Sequence, residues 1–199
     1  VNKLKIFWVD VETSGLDYKK NGIIQLACII DIDGEVVDKI NTGIRPDNQL
    51  VIEKEALEIS GTSSSDINSY PSEKKVYYIL HETLDMYVDK FNKRDKFWFG
   101  AYNYRFDMNF LQEFWERNKS SKEYFGSYIA RQHYLDPMGL VNVLVATGVV
   151  PKPKNMTLEM TSRHFGVEPE GDLHDAFTDI QLCRALYYEL INPEAEWRK

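Results

Sequence analysis

The chain has 199 residues, 43% of them hydrophobic and 13% aromatic, with 24 Lys and Arg against 31 Asp and Glu for a formal charge of −7. This length is enough for one well-buried core and short for two, so a single domain over residues 1–199 is expected. No apolar run approaches the ~20 residues of a membrane span, and the acidic balance argues against a broad basic face for gripping a nucleic-acid duplex.

Residues 1–8 run straight into a strand-like pattern, without the basic segment, long apolar stretch and small-residue cleavage site of a secretory signal. Over residues 4–12 both alternating faces are apolar, Leu4, Ile6 and Trp8 on one and Phe7, Val9 and Val11 on the other. That pattern predicts a central strand covered on both sides. Asp10 and Glu12 continue the Leu4–Ile6–Trp8 face, because strand residues two apart share a side. Gly15 and Asp17 then mark a turn. Residues 23–32 form a second candidate strand, and Asp33-Gly34 is a hairpin signal leading to a third over 35–44, an antiparallel meander.

A short helix over 52–59 ends at Ser60-Gly61. The spacing predicts a long helix over 71–91, with Pro71 in its first turn and Val76, Ile79, Leu80, Leu84, Tyr87, Val88 and Phe91 inward. Residues 97–102 read as a strand. A helix over 106–118 should follow with Phe110, Leu111, Phe114 and Trp115 inward. Residues 128–135 complete the strands. Asp136-Pro137 is an N-cap plus first-turn pair opening a helix to about residue 147. Helices over 157–165 and 175–190 come last, with loops at 152–155 and 168–172. The order predicts an α/β fold: a mixed central sheet of about five strands, a three-strand antiparallel meander plus parallel strands, flanked by helices.

Four acids and one histidine stand out. Asp10 and Glu12 are either desolvated on a buried strand, which is expensive without a partner or a cation, or surface residues where the strand meets solvent. Asp107 reads most simply as a first-turn acid favoured by the helix dipole. Asp179 lies inside the last helix beside the apolar stripe of Ile180, Cys183, Leu186 and Leu190, where an Asp has poor propensity and wants a partner. His174 sits five residues before it, and an imidazole titrating near ~6.5 can take a proton from a water at neutral pH. His81, His133 and His164 read as ordinary surface or hydrogen-bonding residues. Carboxylates are hard oxygen donors, and no Cys/His cluster suggests zinc, so such a set would select two divalent cations, Mg²⁺ or Mn²⁺. Two ions would bring the charge from −7 to about −3. Cys28 and Cys183 sit in apolar patterns and read as buried thiols of a reducing compartment, with a disulfide between them the lesser alternative. A soluble cytoplasmic or intracellular protein with no membrane partner is the expectation.

Three segments carry a resemblance. Asp10, Glu12, Thr13, Gly15 and Leu16 match an Asp-x-Glu motif; Asn103, Phe106, Asp107, Phe110 and Leu111 match Asn-x-x-Phe-Asp; His174, Ala176 and Asp179 match His-x-Ala followed by Asp. Together, in order and over nearly the whole chain, they resemble the three motifs of the DEDDh branch of the DnaQ-like 3′→5′ exonuclease superfamily, which includes proofreading subunits, RNase T and oligoribonuclease. The tyrosine branch has Tyr where this chain has Asp175. The resemblance implies an RNase H-like fold, Asp10, Glu12, Asp107 and Asp179 as ligands of two metals, and His174 as general base. It implies that Thr13 and Leu16 meet the terminal nucleotide, Leu16 as a wedge against its base, with Phe106 and Asn103 beside the same pocket. It also implies single-stranded DNA or RNA 3′ ends as substrate, DNA somewhat favoured, and a polymerase or a second copy of the chain as partner. Tyr102 and Ser60 stand where relatives often have His, which bears on sugar and base contacts rather than on metal binding. An exoribonuclease of the RNase T or oligoribonuclease type is one alternative, a non-catalytic nucleic-acid or polymerase-binding module another. A duplex-cutting endonuclease is disfavoured by charge.

Overall fold

The computed structural model describes residues 3–171 and 175–198. Five strands form one sheet: β1 (Lys5–Thr13), β2 (Ile23–Ile32), β3 (Glu35–Gly43), β4 (Phe97–Gly100) and β5 (Ile129–Leu135), in the order β3-β2-β1-β4-β5. β1 runs antiparallel to β2 and parallel to β4, and β4 parallel to β5, so the sheet is mixed as the pattern predicts. The helices are α1 (Lys54–Ser60), α2 (Ser64–Ser69), α3 (Glu73–Tyr87), α4 (Arg105–Asn118), α5 (Pro137–Ala146), α6 (Leu158–His164) and α7 (Ala176–Ile191). Among the described residues no helix is long and apolar enough to cross a membrane.

Both faces of β1 are covered. Phe7, Val9 and Val11 pack with Phe97 and Phe99 under Leu80 and Leu84 of α3 and Phe110, Leu111 and Trp115 of α4. Ile6, Trp8, Ala27 and Ile29 pack under Ile180, Cys183 and Tyr187 of α7. The second cluster sets the face on which Asp10 and Glu12 emerge. Gly100 allows this packing: a Cβ there would lie 2.3 Å from the Trp8 ring. At the β2–β3 hairpin Asp33 (φ 55) and Gly34 (φ 89) both take left-handed angles, as a two-residue primed turn requires. Fully buried Asp31 ties this hairpin to α7 by accepting from Arg184 Nε at 2.8 Å and the Tyr188 hydroxyl at 2.7 Å.

Two expectations need correction, the extent of α3 and the place of Asp179. The long helix is shorter than its apolar stripe: it starts at Glu73 behind a Ser72 cap and gives way to extended backbone at Val88. Pro71 therefore precedes the helix. Phe91 is 87% exposed and Ile79 faces outward, while Tyr77 takes a core position with Val76, Leu80 and Leu84. α2 had no periodic signal because Ile67 is its only buried residue; a Ser63–Asp66 capping box holds it instead. Asp179 lies in the first turn of α7, behind the Asp175 cap, rather than in the helix interior. Cys28 and Cys183 are buried free thiols.

Candidate active site

The parallel pairing of β1 with β4 brings the loops after both strands to one end of the sheet, where α/β folds hold ligands. Asp10 and Glu12 leave β1 there on the Trp8 face, toward the first turn of α7. One carboxylate oxygen from each of Asp10, Glu12 and Asp179 lies within 4.8 Å of the others. Asp107, in the first turn of α4, is 4% exposed and accepts the Val11 N–H at 3.2 Å. It thus reaches the same strand end from the opposite face of the sheet, beside the trio rather than within it.

The electrostatics follow from this crowding. Burial pushes the Asp10 carboxyl well above its usual range, and repulsion from Asp107, Asp179 and Glu12 adds to it. Burial, with Asp179 and Asp175 nearby, raises Glu12 to about 7. Burial likewise raises Asp107 to about 8 against the hydrogen bond from Val11. Burial and mutual repulsion thus favour the protonated forms of Asp10, Glu12 and Asp107. Hard oxygens converging at this spacing suit a small divalent cation, which would relieve both the desolvation and the repulsion.

The other predicted residues occupy the surrounding loops. Thr13 is 8% exposed and its hydroxyl donates to the Gly15 carbonyl at 2.8 Å, bracing the turn. Leu16, at the turn, is 81% exposed with an unpacked apolar side chain. Phe106 is half-buried, its ring 4.9 Å from that of Phe110. Asn103 is exposed, adopts a left-handed φ of 57 and donates its backbone N–H to Asp136 Oδ1 at 3.0 Å. His174 lies outside the described residues. The Tyr102 hydroxyl is engaged by the Met156 carbonyl and Thr161. Ser60 Oγ closes on its own helix at the Leu57 carbonyl.

Sequence reasoning missed the residues that hold these in place. Gln25, opposite Glu12 in the ladder, donates to Asp175 Oδ1 at 2.8 Å. Burial alone would raise the Asp175 carboxyl, but hydrogen bonds from Gln25 and Thr178 outweigh it and hold it below its usual range. That charged cap anchors the start of α7 and so places Asp179. Buried Asn21 donates to the Val51 carbonyl and Glu53 Oε1 and accepts from Asp17 N–H, clamping the turn after β1. Gly15 is required by that clamp, since a Cβ there would meet Asn21 at 2.4 Å. Asp136 accepts from both Asn103 and Met138, joining the α4 and α5 entrances. The Asp175-x-x-Thr178 and Asp136-Pro137 cap patterns were visible locally; their partners were not.

Residues 7–187 match the family model described as exonuclease (RNase T type), and the chain belongs to that exonuclease family, with the DEDDh motif set in its sequence. A DNA polymerase III of PolC type from Oceanobacillus iheyensis is 25% identical over 184 residues, covering 92% of this chain and 11% of the polymerase. E. coli Exonuclease I in complex with a dT13 oligonucleotide superposes with a TM-score of 0.73 at 20% identity, over 92% of this chain and 40% of that one. A zinc-bound form of the E. coli ExoI–ssDNA complex gives 0.75 at 18% identity, over 98% and 42%. The chain thus spans about a tenth of the polymerase and about two-fifths of the Exonuclease I chain. The fold is RNase H-like.

Proposed function

We propose that this chain is a metal-dependent 3′→5′ exonuclease that hydrolyses phosphodiester bonds at single-stranded 3′ ends and releases nucleoside 5′-monophosphates, preferring DNA. The observation that carries this reading is the convergence of Asp10, Glu12 and Asp179 within 4.8 Å, with Asp107 buried beside them. These four hold two Mg²⁺ or Mn²⁺ ions. Such ions, when bound, lower the pKa of a water and stabilise the leaving oxygen of an in-line displacement. His174 accepts the proton of the attacking water, a role an imidazole fills at neutral pH. Thr13 and Leu16 meet the terminal nucleotide, Leu16 as a wedge against its base from its exposed turn, with Phe106 and Asn103 beside the same pocket.

The DNA preference is supported by relatives that are a DNA polymerase and an exonuclease solved with single-stranded DNA. The polymerase relative also favours a polymerase over a second copy of the chain as partner. The test is digestion of matched 5′-labelled DNA and RNA oligonucleotides with Mg²⁺. A ladder shortening from the 3′ end, faster on DNA and abolished by Asp10→Ala, is expected. No degradation by the natural sequence, or equal degradation by the variant, defeats the reading; faster loss of RNA reverses the preference alone.

A further inference from the structure

We propose that the free edge of strand β5 is a track for the single strand upstream of the reacting end, formed by a stacking platform at Tyr134 and Tyr104 and a cationic stretch through Arg105, Arg131 and Lys93. This rests on the exonuclease reading and extends it from the terminal nucleotide to several more.

Two depressions lie in succession on this edge. One, of about 620 Å³, begins at Asn103 and Asp136 beside the acids and continues past Tyr104, Arg105 and Tyr134 toward α5 and Tyr187. The other, of about 400 Å³, runs from His133 and Arg131 to Lys96 and Lys93. They share no lining residue, but His133 and Tyr134 are consecutive, so the two follow one another along the same edge strand of seven residues, roughly 20 Å, and a bound strand would round the edge between them.

The lining fits single-stranded nucleic acid. The Tyr134 and Tyr104 rings stack with centroids 3.9 Å apart and planes 10° apart, and Tyr134 is 47% exposed, leaving ring surface for a base. Base stacking on aromatics next to a cationic groove is how sequence-tolerant single-strand sites are built. The two linings hold Arg105, Lys93, Lys96 and Arg131 against Asp136 as their one acid, although acids outnumber bases in the whole chain. Among the described residues Arg105, Arg131 and Lys93 have no carboxylate within 4.0 Å. Asp136 Oδ1 accepts the Asn103 and Met138 N–H groups, which fixes this acid at the end of the groove next to Asp107.

Strand addition by a protein fits less well. Opposite β4, the pairing jumps from Phe97–Ile129 to Phe99–Tyr134, so residues 130–133 bulge away from a regular ladder. A bulged edge bearing Arg131, Gln132 and His133 resists pairing with another strand while offering side chains outward.

The experiment is anisotropy binding of 5′-labelled oligothymidylates of about 4 and about 16 nucleotides, the span of known single-strand site sizes, in EDTA. The natural sequence should bind the longer one at least about tenfold more tightly, and Tyr134→Ala should lose about tenfold on it, the worth of one base stack, with Tyr134→Phe restoring it. Arg131→Gln should lower the salt dependence of binding by about 0.7 in log–log slope, one phosphate contact on a single strand. Equal losses on both lengths, or an unchanged salt slope, would overturn the track. So would a concentration-dependent dimer in sedimentation that Arg131→Glu abolishes while oligonucleotide affinity stays constant. Hydrolysis of the short oligonucleotide once Mg²⁺ replaces EDTA, without any length-dependent affinity in EDTA, sinks the track and keeps the exonuclease; length-dependent affinity in EDTA without hydrolysis in Mg²⁺ does the reverse.

Discussion

Replacing Glu12 by Gln should stabilise the metal-free protein while impairing it as an enzyme. Glu12 titrates at about 7 in the fold and at 4.5 without it. The folded state therefore keeps a proton that the unfolded chain has released, and stability falls as pH rises between those two values. At about 1.4 kcal/mol per tenfold change in proton affinity, the full cost above pH 7 is about 3 kcal/mol. The side chain is only half-buried, and solvent screening reduces this to about 1–3 kcal/mol. Gln has no charge to desolvate and none to repel Asp10 and Asp179. Urea unfolding in EDTA should show Glu12→Gln more stable than the natural sequence at about pH 8 and equal to it at about pH 4. Saturating Mn²⁺ should close the gap, because a cation at a hundred times its Kd adds about 2.7 kcal/mol to the protein that binds it. An equal advantage at both pH values, or none at pH 8, would refute the picture of a desolvated acidic cluster.

Other outcomes follow from particular contacts. Arg184→Ala removes the ionic partner of Asp31, which is fully buried in the natural fold, so chemical denaturation should reveal a loss of about 3 kcal/mol; a loss below about 1 kcal/mol would mean water reaches Asp31. Gly100→Ala forces a methyl into the Trp8 ring, and calorimetry should show about 1–3 kcal/mol of overpacking cost. Leu16→Ala removes an exposed side chain, so its melting temperature should hold while kcat/KM on single strands drops about tenfold, the value of one buried Leu contact; an unchanged kcat/KM would remove Leu16 from the substrate pocket.

The relation between Asp10, Glu12 and Asp107 explains why three modest signals make one site. Each acid alone has an ordinary explanation, as a strand end or a first-turn acid. The parallel pairing of β1 with β4 brings them together, because it sets the end of one strand beside the helix that follows the other. The Asp107 carboxylate then accepts from Val11 across the sheet, and the repulsion felt by Asp10 comes first from Asp107.

Local chemistry in the chain was enough for much of the architecture. Alternation over β1 identified a doubly covered strand and assigned Asp10 and Glu12 to the Trp8 face; Asp33-Gly34 specified a primed hairpin; Asp136-Pro137 opened a helix. These depend on neighbours two to four residues apart, which periodicity records. It failed where a through-space partner decides. α3 stops at Tyr87 although its apolar stripe runs to Phe91. α2 stands on a capping box with one buried residue, and Asp179 belongs to a first turn fixed by Gln25 and Asp175. The meeting of residues 10, 12 and 179 was legible only through the family motifs and not from periodicity, and the bulged edge of β5 was decided by the tertiary structure alone. They depend on register between segments remote in sequence, and a linear pattern holds no information about that distance.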